Sequence, residues 1–216
     1  MNFNFILKEL PFLLKGSILT IQLAVITIFL GTFLGIILAF CKISKNKLLS
    51  FIATFYIWIF RGTPLLLQLF FFYYALPGMG LSMDAFTAAV LGLSLNCAAY
   101  MSEIIRGGII AIDKGQFEAS KALGFTYFQT MTKIILPQTF RVIIPPVGNE
   151  FIAMLKDTSL VSSIAMTELM KTTTNISSAT FKFPEMYFSA ACLYLLMTTL
   201  FTTGFSIIEK KLSRYS

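Results

Sequence analysis

Two acids stand in surroundings that disfavour charge. Glu150 and Asp157 lie seven residues apart in the stretch 134–166, which is otherwise largely apolar. Seven residues are about two helical turns, so on a helix both carboxylates fall on one face. Two carboxylates on one stripe can hold a cationic group of a ligand. They can also be neutralised within the chain, because Lys156 adjoins Asp157 and Arg61 interrupts another apolar region, 48–83. For Asp157, the ligand-facing and the structural readings both stand. Glu150 has no basic residue at helical spacing, which favours contact with a ligand. Thr63, Asn149, Thr158 and Ser159 are the polar side chains beside these charges and join them as candidates. Glu103 and Arg106, three apart, are placed to pair with each other. Gln68 and Asn96 in apolar segments can bond across helices or line a polar path.

Other chemistry is excluded by what the chain lacks. It contains no histidine, which removes histidine-ligated haem, histidine zinc sites and imidazole acid–base catalysis. It has no glycine-rich phosphate loop closed by Lys-Ser or Lys-Thr, so it carries no recognisable nucleotide site. The three cysteines, Cys41, Cys97 and Cys192, lie in or at the end of apolar stretches and read as packing residues. The expectation is a protein without a cofactor of its own and without catalysis. Any energy it uses must come from a partner or an ion gradient.

The elements that position these residues follow from composition. Of 216 residues, 56% are apolar and 12% charged, with a mean hydropathy of +0.80. A soluble domain carries roughly 25% charged residues. Lipid must therefore be the solvent. Each crossing needs about 20 apolar residues, and the apolar stretches predict five spans in one all-α domain covering 1–216: about 16–41, 49–76, 85–107, 134–166 and 186–208. The second is too long for one straight helix, and Arg61-Gly62-Thr63-Pro64 is its expected kink. Residues 109–133 form a polar loop, and the Thr/Ser-rich stretch 171–182 reads as another. Phe3 to Leu14 reads as a short helix lying along the interface, with no signal-peptide cleavage pattern after it.

Five spans put the termini on opposite sides. The loops on one side and the C-terminal tail hold 11 basic residues, counting Arg214, against 4 on the other. By the positive-inside rule the C-terminus and the 109–133 loop are cytoplasmic and the N-terminus is outside. The net charge of +7 then needs no nucleic acid to explain it.

Within that loop, Gly115 opens and Gly124 closes a short helix, with Glu118 near its start and Ala119, Ala122 and Leu123 on one face. Such a small, partly apolar face suits docking by another protein; a plain interfacial helix is the alternative. Glu118-Ala119-Ser120-Lys121-Ala122-Leu123-Gly124, followed by Ile134-Ile135-Leu136-Pro137-Gln138, resembles the signature loop of the membrane subunits of ABC importers. Three further segments are similar to the polar amino-acid uptake permeases (the histidine/glutamine/arginine group): 61–69 (RGTPLLLQL), 98–109 (AAYMSEIIRGGI) and 155–160 (LKDTSL). Ser120 stands where that family often shows a second alanine.

The resemblance implies a type I ABC importer permease (MetI-like) fold in a bacterial plasma membrane. It implies a dimer with an identical or homologous permease, and two cytoplasmic ABC ATPases that bind ATP and receive Gly115, Glu118, Ala119, Ser120, Ala122, Leu123 and Gly124 in a groove. An extracytoplasmic binding protein would deliver the amino acid to a path lined by Arg61, Thr63, Asn149, Glu150, Asp157, Thr158 and Ser159. The unpaired Glu150 points to a basic substrate (arginine, lysine or histidine), with glutamine, glutamate or cystine as alternatives. A stand-alone channel or a gradient-driven carrier is the rival reading.

Overall fold

The computed structural model describes residues 2–213, all helical or connecting, with no strand among them; Arg214 lies outside the described residues. Helix α1 (Phe3–Ile43) starts on the side chain of Asn2, which accepts from the Phe5 N–H. Its 41 residues would span about 60 Å, twice a typical hydrocarbon core. The short interfacial helix expected at Phe3–Leu14 is not a separate element, because α1 runs straight through Pro11. Pro11 deprives the helix of one hydrogen bond. Leu13, Gly16, Ser17 and Thr20 just beyond it are buried, and that packing holds the helix continuous.

The most extensive packing is between α1 and α4 (Ala85–Ile110). It depends on Gly31 and Gly35, one turn apart. A Cβ on Gly31 would lie 2.6 Å from Cys97 Sγ, and one on Gly35 would lie 2.8 Å from Met101 Cβ. Small residues at this spacing let two backbones approach in lipid, where dispersion replaces the hydrophobic effect as the driving force. Cys97 is a buried packing residue, and all three cysteines are free thiols.

The break at 61–64 is sharper than the expected kink. Helix α2 (Lys47–Gly62) ends at an extended Thr63 and Pro64, and the chain from α3 (Leu65–Phe70) to Met79 turns off at 102°. Proline drives its predecessor out of helical geometry, which exposes carbonyls at the end of α2. Gln68 Nε2 donates to Phe60 O at 2.9 Å and Thr63 O at 3.1 Å, while Asn96 Nδ2 donates to Phe60 O and Gln68 Oε1. The two amides thus bond across helices and fasten the bend from inside.

Two wide turns, Phe71–Ala75 and Met131–Ile135, share a cause. Each precedes a Leu-Pro pair, and each is closed by a leucine N–H reaching back five residues, Leu76 to Phe71 O and Leu136 to Met131 O. A proline ring collides with the carbonyl four residues earlier in an α-helix. The wider turn moves that carbonyl aside.

Helix α5 (Lys114–Ala122) and the one-turn α6 (Tyr127–Thr130) lead through the second wide turn into α7 (Leu136–Asp157). The fourth span was expected to reach 166, but α7 stops at Asp157 and a tight 3-10 stretch, Thr158–Ile164, follows to Ala165 at φ 63°. The expected 171–182 loop is also a helix, α8 (Leu169–Thr180). Leu169, Thr173 and Ser177 fall on its buried face, and Thr173, Thr174 and Thr180 donate to carbonyls one turn back. Hydroxyls satisfied within the helix need no water, so the polar composition does not make a loop. Helix α9 (Phe183–Ser213) closes the chain.

Among the described residues, α1, α4 and α9 are each long and apolar enough to cross a bilayer, and the bent pair from Lys47 to Met79 can make a fourth crossing. Helix α7 is not in that set. It carries Arg141, Glu150, Lys156 and Asp157, and it packs on α1, α4 and α9.

Candidate functional site

The polar loop and the charged residues of α7 are two candidate sites on one continuous stretch of chain. Asp113, not Gly115, starts α5: its carboxylate accepts from the Gly115 N–H at 2.6 Å. A side chain on Gly115 would meet that carboxylate. The helix ends in two nested hydrogen bonds, Phe125 N–H to Ser120 O and Gly124 N–H to Lys121 O, with Gly124 at φ 80°. This is the glycine-closed stop read from the sequence. Glu118, Ala119 and Ala122 are exposed, and Leu123 is 75% exposed. Ser120 is different. It is 1% exposed and donates to Gln116 O, so it faces its own chain and does not belong to the presented surface. Tyr127 and Phe128 of α6 lie exposed beside this face.

In α7, Glu150 and Asp157 share the predicted stripe, both half-buried, and neither makes an ion pair among the described residues. The charges whose fields reach Glu150 are Asp157 and, from α2, Arg61. The Arg61 guanidinium lies over the Tyr100 ring of α4, 5.0 Å from its centroid. Lys156 is exposed and lines a groove between α7 and α9 with Ile152, Leu195, Thr198, Thr199, Thr202 and Thr203. Asn149 is exposed and Ser159 half-buried. Thr63 donates to Ile59 O and accepts from Gln68, so it helps hold the bend. Thr158 is fully buried and donates to Leu155 O, which closes the end of α7. Glu103 pairs with Arg106 at 2.8 Å as expected and also with Lys42 at 2.7 Å, which ties α1 to α4.

Sequence reasoning missed Glu168. It is 0% exposed, with Tyr194 OH donating to it at 2.9 Å, Thr20 Oγ1 at 3.2 Å and the Lys171 N–H at 2.8 Å. It caps α8 and joins α1, α8 and α9. The available signal was an acid set directly before Leu169-Met170, just ahead of the segment 171–182 read as a loop.

Residues 31–214 match the family described as binding-protein-dependent transport system inner membrane component. The chain belongs to that family. It is the permease subunit of an amino-acid ABC importer, a bacterial membrane protein and not an enzyme; the ATPase is a separate subunit. The permease is 41% identical to the arginine transport system permease protein ArtQ of Bacillus subtilis (strain 168), over 98% of this chain and 97% of that one. It is also 41% identical to the putative glutamine transport system permease protein GlnP of Rickettsia bellii (strain RML369-C), over 97% and 98%. A crystal structure of an amino acid ABC transporter with histidines superposes with a TM-score of 0.94 at 38% identity, covering 98% of this chain and 99% of that one. The permease therefore has the all-α, type I importer (MetI-like) fold. Its family works with ATPase and substrate-binding partners.

Proposed function

We propose that the permease carries a basic amino acid (arginine, lysine or histidine) inward. Glu150 is the observation that carries this reading: an acid half-buried on α7, without an ion-pair partner among the described residues, on the same stripe as Asp157. A charge at the bilayer centre costs on the order of 2.5–3.5 kcal/mol on insertion scales, so it faces a cavity or a partner. Two carboxylates on one stripe, Glu150 and Asp157, complement the cationic side chain of a basic amino acid. The arginine transport named for ArtQ supports this substrate. The equally similar GlnP, named for glutamine, supports the alternative.

Asn149, Ser159 and Arg61 complete the proposed path, which a second permease copy or a homologue closes. The exposed face of α5, with Gly115, Glu118, Ala119, Ala122, Leu123 and Gly124, is the proposed seat of a cytoplasmic ATPase, one per permease, and the ATP is bound there. A binding protein delivers substrate from outside, where the N-terminus lies; the C-terminus is cytoplasmic. No cofactor of the permease itself and no nucleic acid enters this scheme.

The test replaces Glu150 with Gln in the assembled transporter and follows uptake of arginine and glutamine. Arginine uptake should fall at least about tenfold, the equivalent of 1.4 kcal/mol, with glutamine uptake level or higher. Unchanged arginine uptake removes the basic-substrate reading.

A further inference from the structure

An apolar groove runs between α1 and α7, with Met101 and Ile105 of α4 in its floor. Two cavities of about 320 and 420 Å³ compose it, and they share Thr32 and Ile36, so they are continuous. The α1 wall extends from Val25 to Phe40 and the α7 wall from Leu136 to Phe151. Each wall advances about 15 residues, or roughly 22 Å at 1.5 Å per residue. That exceeds the half-thickness of about 15 Å open to one acyl chain in a hydrocarbon core of about 30 Å. One turn of an α-helix 10 Å across fills on the order of 400 Å³. Cavities of this volume, spread over about four turns, are too narrow for a further helix and fit an extended chain.

Two observations say what that chain carries. At the end nearest α5 the groove runs into basic residues on all three helices. Lys42 follows Phe40 by two residues, Arg106 adjoins Ile105, and both pair with Glu103. Lys133 stands exposed three residues before Leu136, and the cluster of Ala39, Ile105, Met131 and Ile135 draws these ends together. Three cations against one carboxylate leave an excess that suits an anion. The second observation is Thr139, one turn inward from Leu136. It lines the groove at 2% exposure, and its hydroxyl has no hydrogen-bond partner. A buried donor without an acceptor is costly, so a ligand with an acceptor at that depth gains from it. A glycerophospholipid has these parts in this order: an anionic phosphate, ester carbonyls that only accept, and acyl chains. We propose that the groove binds one anionic glycerophospholipid, its phosphate among Lys42, Arg106 and Lys133, an ester carbonyl at Thr139 and an acyl chain between α1 and α7. The assignment holds whichever amino acid the permease carries.

The experiment titrates lipids onto the purified permease–ATPase complex and reads binding by native mass spectrometry. The probes are phosphatidylglycerol, its ether-linked analogue, which lacks the ester carbonyls, and phosphatidylcholine, whose headgroup is neutral overall. The wild type should bind phosphatidylglycerol at least tenfold more tightly than phosphatidylcholine and at least threefold more tightly than the ether analogue. Lys133→Glu should cut the headgroup preference at least threefold. Thr139→Val keeps the shape of the side chain, and should erase the ester preference while the headgroup preference stays. Ile36→Trp fills the groove at a residue both cavities share, and should weaken phosphatidylglycerol at least tenfold. Ile36 is exposed, so the fold should survive; if that complex fails to assemble, Thr139→Val and Lys133→Glu carry the test. The proposal is overturned if the wild type shows no headgroup preference, if Thr139→Val keeps the ester preference, or if Ile36→Trp binds phosphatidylglycerol like the wild type. Should Ile36→Trp leave lipid binding unchanged and separate two permease copies on size exclusion, a second copy covers the groove, which overturns it equally.

Discussion

Glu168 shows what lipid demands of a polar side chain. Its three donors come from a helix N-terminus, a threonine and a tyrosine, and together they make full burial of a carboxyl group tolerable. Glu168→Ala would leave the Tyr194 hydroxyl and the Lys171 N–H without their acceptor and remove the cap of α8. Each unsatisfied buried group costs about 1–3 kcal/mol, so the variant should lose several degrees of thermal stability in detergent. Glu168→Gln keeps one carbonyl acceptor and should lose less. A Glu168→Ala protein that melts with the wild type contradicts the network. Sequence spacing was enough to place Glu150 and Asp157 on one face, because periodicity depends only on the helix. It could not reveal Glu168, since its partners Thr20 and Tyr194 stand 148 and 26 residues away.

At the scale of elements, the α1–α4 seam is where backbone meets backbone. Gly35→Leu places a branched side chain where even a Cβ would lie 2.8 Å from Met101. Overpacking typically costs about 1–3 kcal/mol, and here a whole helix pair must separate. The expected result is a clear fall in the yield of folded protein on size exclusion, with Gly35→Ala intermediate; a Leu variant with wild-type yield and melting removes the close-contact account. Helices α1, α4 and α9 were legible in outline because uncharged runs of 18 residues or more have one stable arrangement in lipid. Helix α8 was not, because Thr and Ser in a loop and Thr and Ser bonding back to their own helix have the same composition. The depth of the bend at Thr63-Pro64 was also hidden, since it depends on Asn96 from another helix.

Across the whole molecule, α5 presents its exposed face outward, packs inward through Phe117 and Ser120, and reaches the charged stripe through α6, a wide turn and α7, continuous in the chain. That continuity makes a lever. Gly124→Asp puts a side chain at φ 80°, a region that favours glycine, and Glu118→Lys reverses the charge on the exposed face. Either variant should insert normally yet reduce ATP-driven uptake at least about tenfold, read as substrate accumulation beside the membrane-fraction level. Wild-type uptake in both refutes the docking role. The family was legible in the sequence because its loop sits outside the lipid, where identity of side chains decides recognition. The inward turn of Ser120 was not, because only packing on the rest of the chain decides which side of a short helix is covered.

The paired Leu-Pro turns have a consequence for how the chain tolerates length changes. An ordinary α-helix has no slack: losing one residue swings everything downstream by about 100°. Between Met131 and Ile135 the backbone holds a spare residue per turn, so a deletion there can be absorbed by tightening. The same deletion ten residues later would carry Glu150 and Asp157 together a quarter-turn or more away from the direction they now face. The segment ahead of Pro137 is thus a place on this path where the distance from motor to passage can be retuned without rotating the passage itself.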